Sequence, residues 1–234
     1  MKDGLYLTET HCHTSAGSFC GKISPEEQMD CYKALGYDTV FVTEHFPISK
    51  KMREKYGDPG FEERVALMCS GYERAKTRGD EIGLRVLFAF EFGYHGTDTL
   101  TYGLGPDFLF AHPEIEGMDP VEYAAIAHEA GGFLVHAHPF REAGYIKYIR
   151  LYPRSVDAVE VFNACRTDEV NERALRYAAD YGLPFSAGSD SHRCYIARYG
   201  GILTKKPVES SEDLVQAILT GSAKLYRAAC SPPA

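Results

Sequence analysis

Seven short apolar segments, separated by helix-like stretches, constrain the fold more than any other feature of this sequence. The predicted strands cover residues 5–8, 39–43, 84–90, 108–111, 133–135, 158–162 and 184–187. Their near-continuous apolar character is typical of strands that are covered on both faces of a sheet. Strands and helices alternate along the chain, which predicts βα units and an α/β fold with a largely parallel sheet.

Four stretches between these strands carry the start and stop signals of helices. Ser24 and Glu27 form a capping box that has proline in the first turn between them. The predicted helices cover approximately residues 25–35, 119–130, 168–181 and 210–221. Residues 48–60 and 93–106 are predicted to be long loops, which are often functional in a compact domain.

The length and charge of the chain narrow the classes of function. A chain of 234 residues with 44% hydrophobic residues is typical of one globular domain, so we predict a single domain over residues 1–234. The formal net charge is −8. Surfaces that bind extended nucleic acid are usually basic, so we do not expect one here. A small phosphorylated substrate, held by a few cations or metal ions, is compatible with this charge.

The sequence also carries signals of cellular location. It has no run of 18 apolar residues, and residues 1–4 lack the apolar stretch of a signal peptide. The seven cysteines are scattered and form no CxxC motif, which is typical of reduced thiols. They are Cys12, Cys20, Cys31, Cys69, Cys165, Cys194 and Cys230. We therefore expect a cytoplasmic protein with no membrane contact, and the oligomeric state is not predicted.

Residues of the metal-ligating types follow six of the predicted strands. They are Glu9, His11, His13, Glu44, His45, Glu91, His112, His136, His138, Asp190 and His192. The carboxyl ends of parallel strands in an α/β barrel meet on one face, so these distant side chains would converge there. Imidazole and carboxylate groups bind hard and borderline divalent ions. The pattern therefore predicts a metal centre on that face.

Spacing strengthens this prediction. Nine histidines in 234 residues predict roughly 0.35 His-x-His pairs by chance, and two occur. Residues i and i+2 of an extended segment point to the same side, so His11 and His13 can bind one ion together. Asp190 and His192 have the same spacing. His136 shares a side with His138, but its apolar neighbours suggest burial, so a ligand and a structural role both stay open.

The order of these motifs resembles that of the PHP (polymerase and histidinol phosphatase) family. The matching motifs are His11-Cys12-His13, Thr43-Glu44-His45, Phe90-Glu91, Ala137-His138-Pro139-Phe140-Arg141 and Gly188-Ser189-Asp190-Ser191-His192. They extend over about residues 5–204. The resemblance implies a distorted (β/α)7 TIM-like barrel. It also implies two or three divalent ions (Zn, Fe or Mn) at the carboxyl ends of the strands.

The resemblance further implies which residues bind each ion. One ion would be held by His11, His13, Glu91 and Asp190. Glu91 would bridge to a second ion, bound also by His138 and, depending on how the preceding loop aligns, by His112. His45 and His192 would serve a third ion.

The sequence departs from the family pattern in three places. Glu9 stands where the family often has aspartate, and Glu44 stands in place of the aspartate before His45. The third histidine or aspartate that the family has shortly after the HxH motif is missing. Cys20 lies about where that ligand is expected. A thiolate there could bind Zn or Fe, although a free buried cysteine is the commoner case.

The implied activity is that of a metal-dependent phosphoesterase. It would hydrolyse a small phosphomonoester, such as histidinol phosphate or a nucleotide, by means of a metal-activated hydroxide. Arg141 and Arg193 are predicted to contact the phosphate, because a guanidinium group can hold two oxygens. Arg166 and Lys147 are weaker candidates, and Glu44 would orient His45 or a water molecule.

Two alternatives remain open. Amidohydrolase barrels that cleave C–N bonds also use an HxH motif and a late aspartate. They usually carry a bridging lysine at the strand end where this chain has Glu91, which argues against that class. A non-catalytic metal-binding member of the PHP family would keep the ligands without turnover.

Overall fold

The computed structural model describes residues 4–229. The strands are β1 (Tyr6–Cys12), β2 (Thr39–Phe46), β3 (Arg85–Tyr94), β4 (Thr97–Tyr102), β5 (Phe133–Ala137), β6 (Ala158–Asn163), β7 (Phe185–Gly188), β8 (Arg198–Thr204) and β9 (Lys224–Ala229). The helices are α1 (Pro25–Ala34), α2 (Lys50–Lys55), α3 (Phe61–Ile82), α4 (Pro106–Ala111), α5 (Pro120–Glu129), α6 (Asp168–Tyr181) and α7 (Ser211–Leu219). Cys230 and residues 1–3, used above in predicting location, lie outside the described residues.

The strands form one sheet in the order β7-β6-β5-β4-β3-β2-β1-β8-β9. Neighbours among β1, β2 and β3 are parallel, as are those among β5, β6 and β7, whereas β4 is antiparallel to both β3 and β5. After β7 the chain returns to β1, where the Asp190 amide donates to the His11 carbonyl at 2.8 Å and the His13 amide donates to the Ser191 carbonyl at 3.0 Å. These bonds nearly close the first seven strands into a ring. The predicted distorted (β/α)7 barrel is therefore confirmed, with one strand reversed.

The four predicted helices are confirmed as α1, α5, α6 and α7. The Glu27 amide donates to the Ser24 hydroxyl and the Ser24 amide donates to the Glu27 carboxylate at 3.0 Å, so the capping box forms. Asp119 caps α5 and Ser210 caps α7. Gly182 ends α6 with φ of 64°, a left-handed conformation that glycine adopts without steric cost.

Three predictions about local structure are wrong. Residues 108–111 form part of α4 rather than a strand, because Pro106 begins a helix and a four-residue apolar run does not distinguish the two structures. The predicted loop over 93–106 contains β4, and the predicted loop over 48–60 contains α2. The antiparallel strands β8 and β9 and the long helix α3 were not predicted.

Aromatic packing holds the sheet and its helices together. Inside the sheet, the Phe41 and Tyr102 rings meet edge to face at 5.2 Å, and the Tyr102 hydroxyl donates to the Thr10 carbonyl at 2.7 Å. Outside it, the Phe92 ring stacks on Tyr123 of α5 at 3.8 Å. This packing fixes the strand ends that carry the polar side chains. Across residues 4–229, every helix is too short or too polar to span a membrane.

Candidate metal centre

Four buried side chains from three strand ends converge on one point. The His11 and His13 Nε2 atoms are 3.1 Å apart, and each lies 3.4 Å from an oxygen of Glu91. Asp190 Oδ1 is 3.6 Å from His11 Nε2 and 3.5 Å from His13 Nε2. Ligand atoms about 2.0–2.1 Å from a tetrahedral ion are about 3.4 Å from one another. The spacing of these donors therefore suits one divalent ion.

A second group shares Glu91 with the first. His138 Nε2 lies 3.2 Å from Glu91 Oε1 and 3.9 Å from Asp98 Oδ2, and the three residues form one possible ligand set. His138 Nε2 also lies 3.8 Å from Asp190 Oδ2. The buried Glu91 oxygens are faced by imidazole nitrogens, with His138 Nε2 3.2 Å from Oε1 and His45 Nδ1 2.7 Å from Oε2. A buried carboxylate with ligand-type nitrogens on both sides fits a site that holds cations on either side of Glu91.

A third group consists of imidazoles alone. His13, His45 and His192 place one nitrogen each within 4.8 Å of the others. The His13 ring stacks against His45 at 4.4 Å and against His192 at 4.6 Å. His45 Nδ1 also lies 2.7 Å from Glu91 Oε2, which links this group to the first two. The three groups together form a continuous centre.

Glu160, on β6, orients two of the ligand residues, His11 and His138, through hydrogen bonds. Its Oε1 lies 2.8 Å from His11 Nδ1, so the opposite nitrogen, Nε2, faces the centre as the ligand atom. Its Oε2 accepts from the His138 amide at 3.0 Å and from the Asn163 amide group at 2.9 Å. Glu160 was not predicted as a site residue. The available signal was an acidic residue in the middle of an otherwise apolar strand.

Backbone conformation directs two of the ligands. His138 has φ of 28° and Asp190 has φ of 53°, values that residues other than glycine rarely adopt. Each follows the end of a strand, so its side chain no longer obeys the two-residue alternation of that strand. Strained backbone of this kind persists where the surrounding structure holds it and is concentrated at functional sites.

Burial and the charged groups that face one another set the direction of the pKa values in the centre. Burial would raise the pKa of the Glu91 and Asp190 carboxyls, but the facing histidines hold both well below their usual range. Burial and the charge of Glu91 raise the pKa of Asp98. For His11, burial works to lower the pKa, yet Glu160, Asp190 and Glu91 raise it well above the ordinary value. Bound cations would take the place of these protons.

The two arginines that were predicted to contact the phosphate, Arg141 and Arg193, differ in burial and in contacts. Arg141 is largely buried, its Nη2 lies 2.7 Å from Asp98 Oδ2, and its Nε is buried without a partner in the described part of the chain. Arg193 is exposed and lines a cavity of about 560 Å³ together with His192 and Cys20. Of the weaker candidates, Arg166 contacts Asp190 Oδ2 at 2.8 Å. Lys147 is exposed and has no ion pair within residues 4–229.

Two of the histidines that were considered as ligands, His112 and His136, lie away from the metal centre. His112 follows a helix instead of a strand, and its Nδ1 lies 2.7 Å from Glu114 at the surface, so its prediction as a metal ligand is corrected. His136 is buried on β5 with its ring 4.2 Å from that of Tyr152. The two-residue periodicity expected for His136 and His138 fails because β5 ends between them, at residue 137. The role left open for His136 is therefore structural.

Two buried glutamates brace the strand ends. Glu9 accepts hydrogen bonds from the His11 amide at 2.9 Å and the Ser189 amide at 2.8 Å, which fastens β1 to the segment after β7. Glu44 contacts the Thr14 amide at 3.1 Å and the Thr14 hydroxyl. Glu44 therefore anchors the loop after β1, and the predicted role of orienting His45 or a water molecule stays a prediction. Burial raises the pKa of each glutamate to about 7.

Asp98 is a possible metal ligand that was not predicted from the sequence. It lies on β4, opposite Gly93 on β3 and Ala137 on β5. The signal was present in the threonines at positions 97, 99 and 101, because alternating β-branched residues are typical of a strand.

Comparison with known proteins gives one family match and several structural likenesses. Residues 168–223 match the family model described as PHP-associated. No curated protein matches the sequence.

Three solved structures illustrate the range of similar proteins. A two-domain protein of Bacteroides vulgatus that contains a predicted PHP-like metal-dependent phosphoesterase has a TM-score of 0.70 and 14% identity, over 96% of this chain and 66% of that one. The lesion-specific endonuclease EndoQ of Pyrococcus furiosus has a TM-score of 0.62 and 15% identity, over 97% of this chain and 60% of that one. An amidohydrolase of Chromobacterium violaceum, solved with sulfate and without metal, has a TM-score of 0.56 and 14% identity, over 79% and 87%. At these identities the likenesses establish the shared fold.

Proposed function

We propose that this chain, a PHP protein by its fold and its PHP-associated C-terminal region, is a metal-dependent phosphoesterase. One observation carries the proposal: the Glu91 carboxylate is shared by two adjacent ligand groups, one with His11 and His13 and the other with Asp98 and His138. A carboxylate placed between two ion positions is the arrangement of binuclear hydrolases, which clamp the attacking and leaving oxygens of a phosphoryl group.

The chain's own residues would bind and orient the substrate. Divalent ions held here, with Zn, Fe and Mn as the candidates, would supply a polarising charge and lower the pKa of water. Arg141 contacts Asp98 through Nη2, and its guanidinium group would place positive charge beside the ions for a phosphate group. Arg166 holds Asp190 by Oδ2, which keeps Oδ1 directed toward His11 and His13.

We propose a small phosphomonoester as the substrate class, with a cytoplasmic location. The net charge of −8 supports a small substrate over extended nucleic acid. Free thiols support a reducing compartment, because every cysteine within residues 4–229 is unpaired. Glu91 occupies the strand position at which amidohydrolase barrels usually carry the bridging lysine, which disfavours C–N hydrolysis of that kind.

Phosphodiester hydrolysis is the second candidate function. The cavity beside His192 is lined by the cations Lys22, Arg166, Arg193 and Arg198. Lys22 and Arg193 have no side-chain partner within the described residues and are exposed. Such a cavity suits a substrate whose leaving group carries a further negative charge.

The proposal is tested by turnover of three chromogenic substrates. The protein is stripped with a chelator, loaded separately with Zn, Fe or Mn, and assayed on p-nitrophenyl phosphate, bis-p-nitrophenyl phosphate and p-nitroacetanilide. We expect metal-dependent hydrolysis of the monoester, and faster hydrolysis of the diester would select the second candidate. H13A and D190A are expected to lose activity while folding normally.

The matched control is H128A, which removes an exposed histidine that contacts Asp157. It is expected to keep wild-type activity. Hydrolysis of the anilide alone, or of no substrate with any metal, would overturn the proposal.

A further inference from the structure

A β-bulge in β6 turns Asn163 toward the metal centre. Glu160 pairs with Ser186 of β7, but the next pair joins Phe162 to Ala187, so one extra residue stands on β6 between the two pairs. In a regular strand, residues three positions apart point to opposite faces of the sheet. The bulge interrupts this alternation, so the side chains of Asn163 and Glu160 meet on one side of β6.

The Asn163 amide group donates to two carboxylates at once. Its Nδ2 lies 2.9 Å from Glu160 Oε2 and 3.2 Å from Asp190 Oδ2. An amide nitrogen carries two hydrogens, so it can serve both oxygens. Asn163 Oδ1 accepts from the Cys165 amide at 3.0 Å, which distinguishes the oxygen of the side chain from its nitrogen. The residue is fully buried, so water does not compete for these bonds.

The main chain of Asn163 is held by a single side chain of α6. Asn171 Oδ1 accepts from the Asn163 amide at 3.0 Å, and Asn171 Nδ2 donates to the Asn163 carbonyl at 3.1 Å. Asn171 is itself buried, and α6 packs against β6. The Asn163 amide group therefore reaches the two carboxylates from a fixed position and not from a mobile loop.

On the Asp190 side, Asn163 helps to select the oxygen that faces the ligands. Asp190 Oδ2 accepts from Asn163 and, at 2.8 Å, from Arg166 Nη2. Asp190 Oδ1 is left 3.6 Å from His11 Nε2 and 3.5 Å from His13 Nε2. Two donors on one oxygen, one of them charged, restrain the rotation of the carboxylate. Oδ1 is therefore the oxygen that Asp190 presents to an ion.

On the Glu160 side, Asn163 restrains the residue that orients ligands of both ion positions. Glu160 Oε1 lies 2.8 Å from His11 Nδ1, and Oε2 accepts from the His138 amide at 3.0 Å as well as from Asn163. His11 belongs to a ligand group with His13 and Glu91, whereas His138 belongs to a group with Asp98 and Glu91. One amide group is therefore connected to both ligand groups.

We propose that Asn163 is a positioning residue of the metal centre, which fixes Asp190 and Glu160 together through one buried amide group. Asn163 acts through these two residues and is not itself a ligand. A buried carboxylate oxygen that loses a donor costs free energy or has to move to another partner. Partners that hydrogen-bond to metal ligands typically contribute 10–100-fold to metal affinity. The proposal rests on the metal centre of the proposed function.

Cobalt binding to two variants tests this role. N163L keeps the branched shape of the side chain and removes both donor hydrogens, and N163D keeps the oxygen that accepts from the Cys165 amide. The chelator-treated protein is titrated with Co(II) against a chromophoric chelator. We expect each variant to bind cobalt about 10–100-fold more weakly than the wild type, with an altered visible spectrum of the bound cobalt. Wild-type affinity in either variant that folds would overturn the proposal.

The matched control is T39V, which removes a buried hydrogen bond at the other end of the barrel. The Thr39 hydroxyl donates to the Val208 carbonyl at 2.8 Å, and Thr39 is the first residue of β2. T39V is expected to unfold at a lower temperature than the wild type and to keep the wild-type cobalt affinity. An equal loss of affinity in T39V and N163L would show that lost stability explains the effect, and the positioning role would be refuted.

A second measurement uses the unmutated chain, so it does not depend on the folding of a variant. Asn163 and Asn171 are the only asparagines of the sequence, so selective ¹⁵N labelling gives two side-chain NH₂ groups. Within residues 4–229, Asn163 Nδ2 donates two hydrogen bonds and Asn171 Nδ2 donates one. In the chelator-treated protein we expect one NH₂ group to keep both protons after transfer to deuterium oxide. Exchange of both groups at the rate of free asparagine would contradict the proposal.

Neither readout depends on turnover. Cobalt binding by the wild type without phosphoester hydrolysis would contradict the proposed function alone. Hydrolysis by the wild type, with unchanged cobalt affinity in N163L and N163D, would contradict the role of Asn163 alone.

Discussion

Replacing His136 by phenylalanine is expected to make the fold less sensitive to acid. The His136 side chain is fully buried on β5, its ring lies 4.2 Å from the Tyr152 ring, and neither ring nitrogen has a hydrogen-bond partner within residues 4–229. Burial, with a smaller contribution from the charge of His138, lowers the pKa of His136 from 6.5 to about 3. The folded protein therefore keeps this imidazole neutral.

The size of the effect follows from proton linkage. Below pH 6.5 the unfolded chain takes up a proton at His136 that the folded chain does not, so stability is lost as the pH falls from 6.5 toward 3. Each pH unit in that interval costs about 1.4 kcal/mol, so at about pH 5 the loss is about 2 kcal/mol. For a domain of this length, that corresponds to a decrease in Tm of about 4–8 °C.

The assay compares the wild type and H136F by urea unfolding at about pH 8 and about pH 5, with chelator present so that metal release does not contribute. The wild type is expected to lose about 2 kcal/mol more than H136F between the two pH values. A constant offset between the proteins reflects packing, since it does not vary with pH. An equal loss in both proteins would show that His136 is not the buried neutral group described here.

Three further substitutions test other parts of the centre. E160Q weakens the hydrogen bond that orients His11, so metal affinity measured by chelator competition should fall by about 10–100-fold, and unchanged affinity would contradict this role. R141A should lower kcat/KM for phosphate esters by about 10²–10³-fold, and an unchanged value would remove Arg141 from the site. G17A would place a Cβ atom 2.5 Å from the Glu44 side chain. It should lower the free energy of unfolding, measured in urea, by about 1–3 kcal/mol. Wild-type stability would show that the loop between β1 and α1 can relax.

The strand ends that carry His11, His13 and Glu91 were predictable because their geometry is local. An extended segment alternates its side chains, and parallel strands finish on the same face of the barrel. His45 and Asp190 were found by the same reasoning. The helices with caps were also predictable, since a cap depends on residues only a few positions apart.

The residues that were missed, or assigned wrongly, depend on contacts between distant segments. Asp98 reaches the centre because β4 runs antiparallel between β3 and β5, a pairing that local periodicity does not specify. Glu160 contacts His11, which is 149 residues away, at 2.8 Å, and it also accepts from the His138 amide at 3.0 Å. His112 was assigned to the end of a strand because a four-residue apolar run is equally compatible with the helix that the structure contains.

The amino-acid sequence by itself therefore determined the α/β class, the capped helices and the run of ligand types at successive strand ends, because each is encoded over a few neighbouring residues. Only the tertiary structure decided which of those side chains meet. The return of the chain from β7 to β1 brings Asp190 to His11 and His13. The pairing of β4 with β5 brings Asp98 to His138. Both depend on hydrogen bonds between residues far apart in the chain, which only the closed barrel brings together.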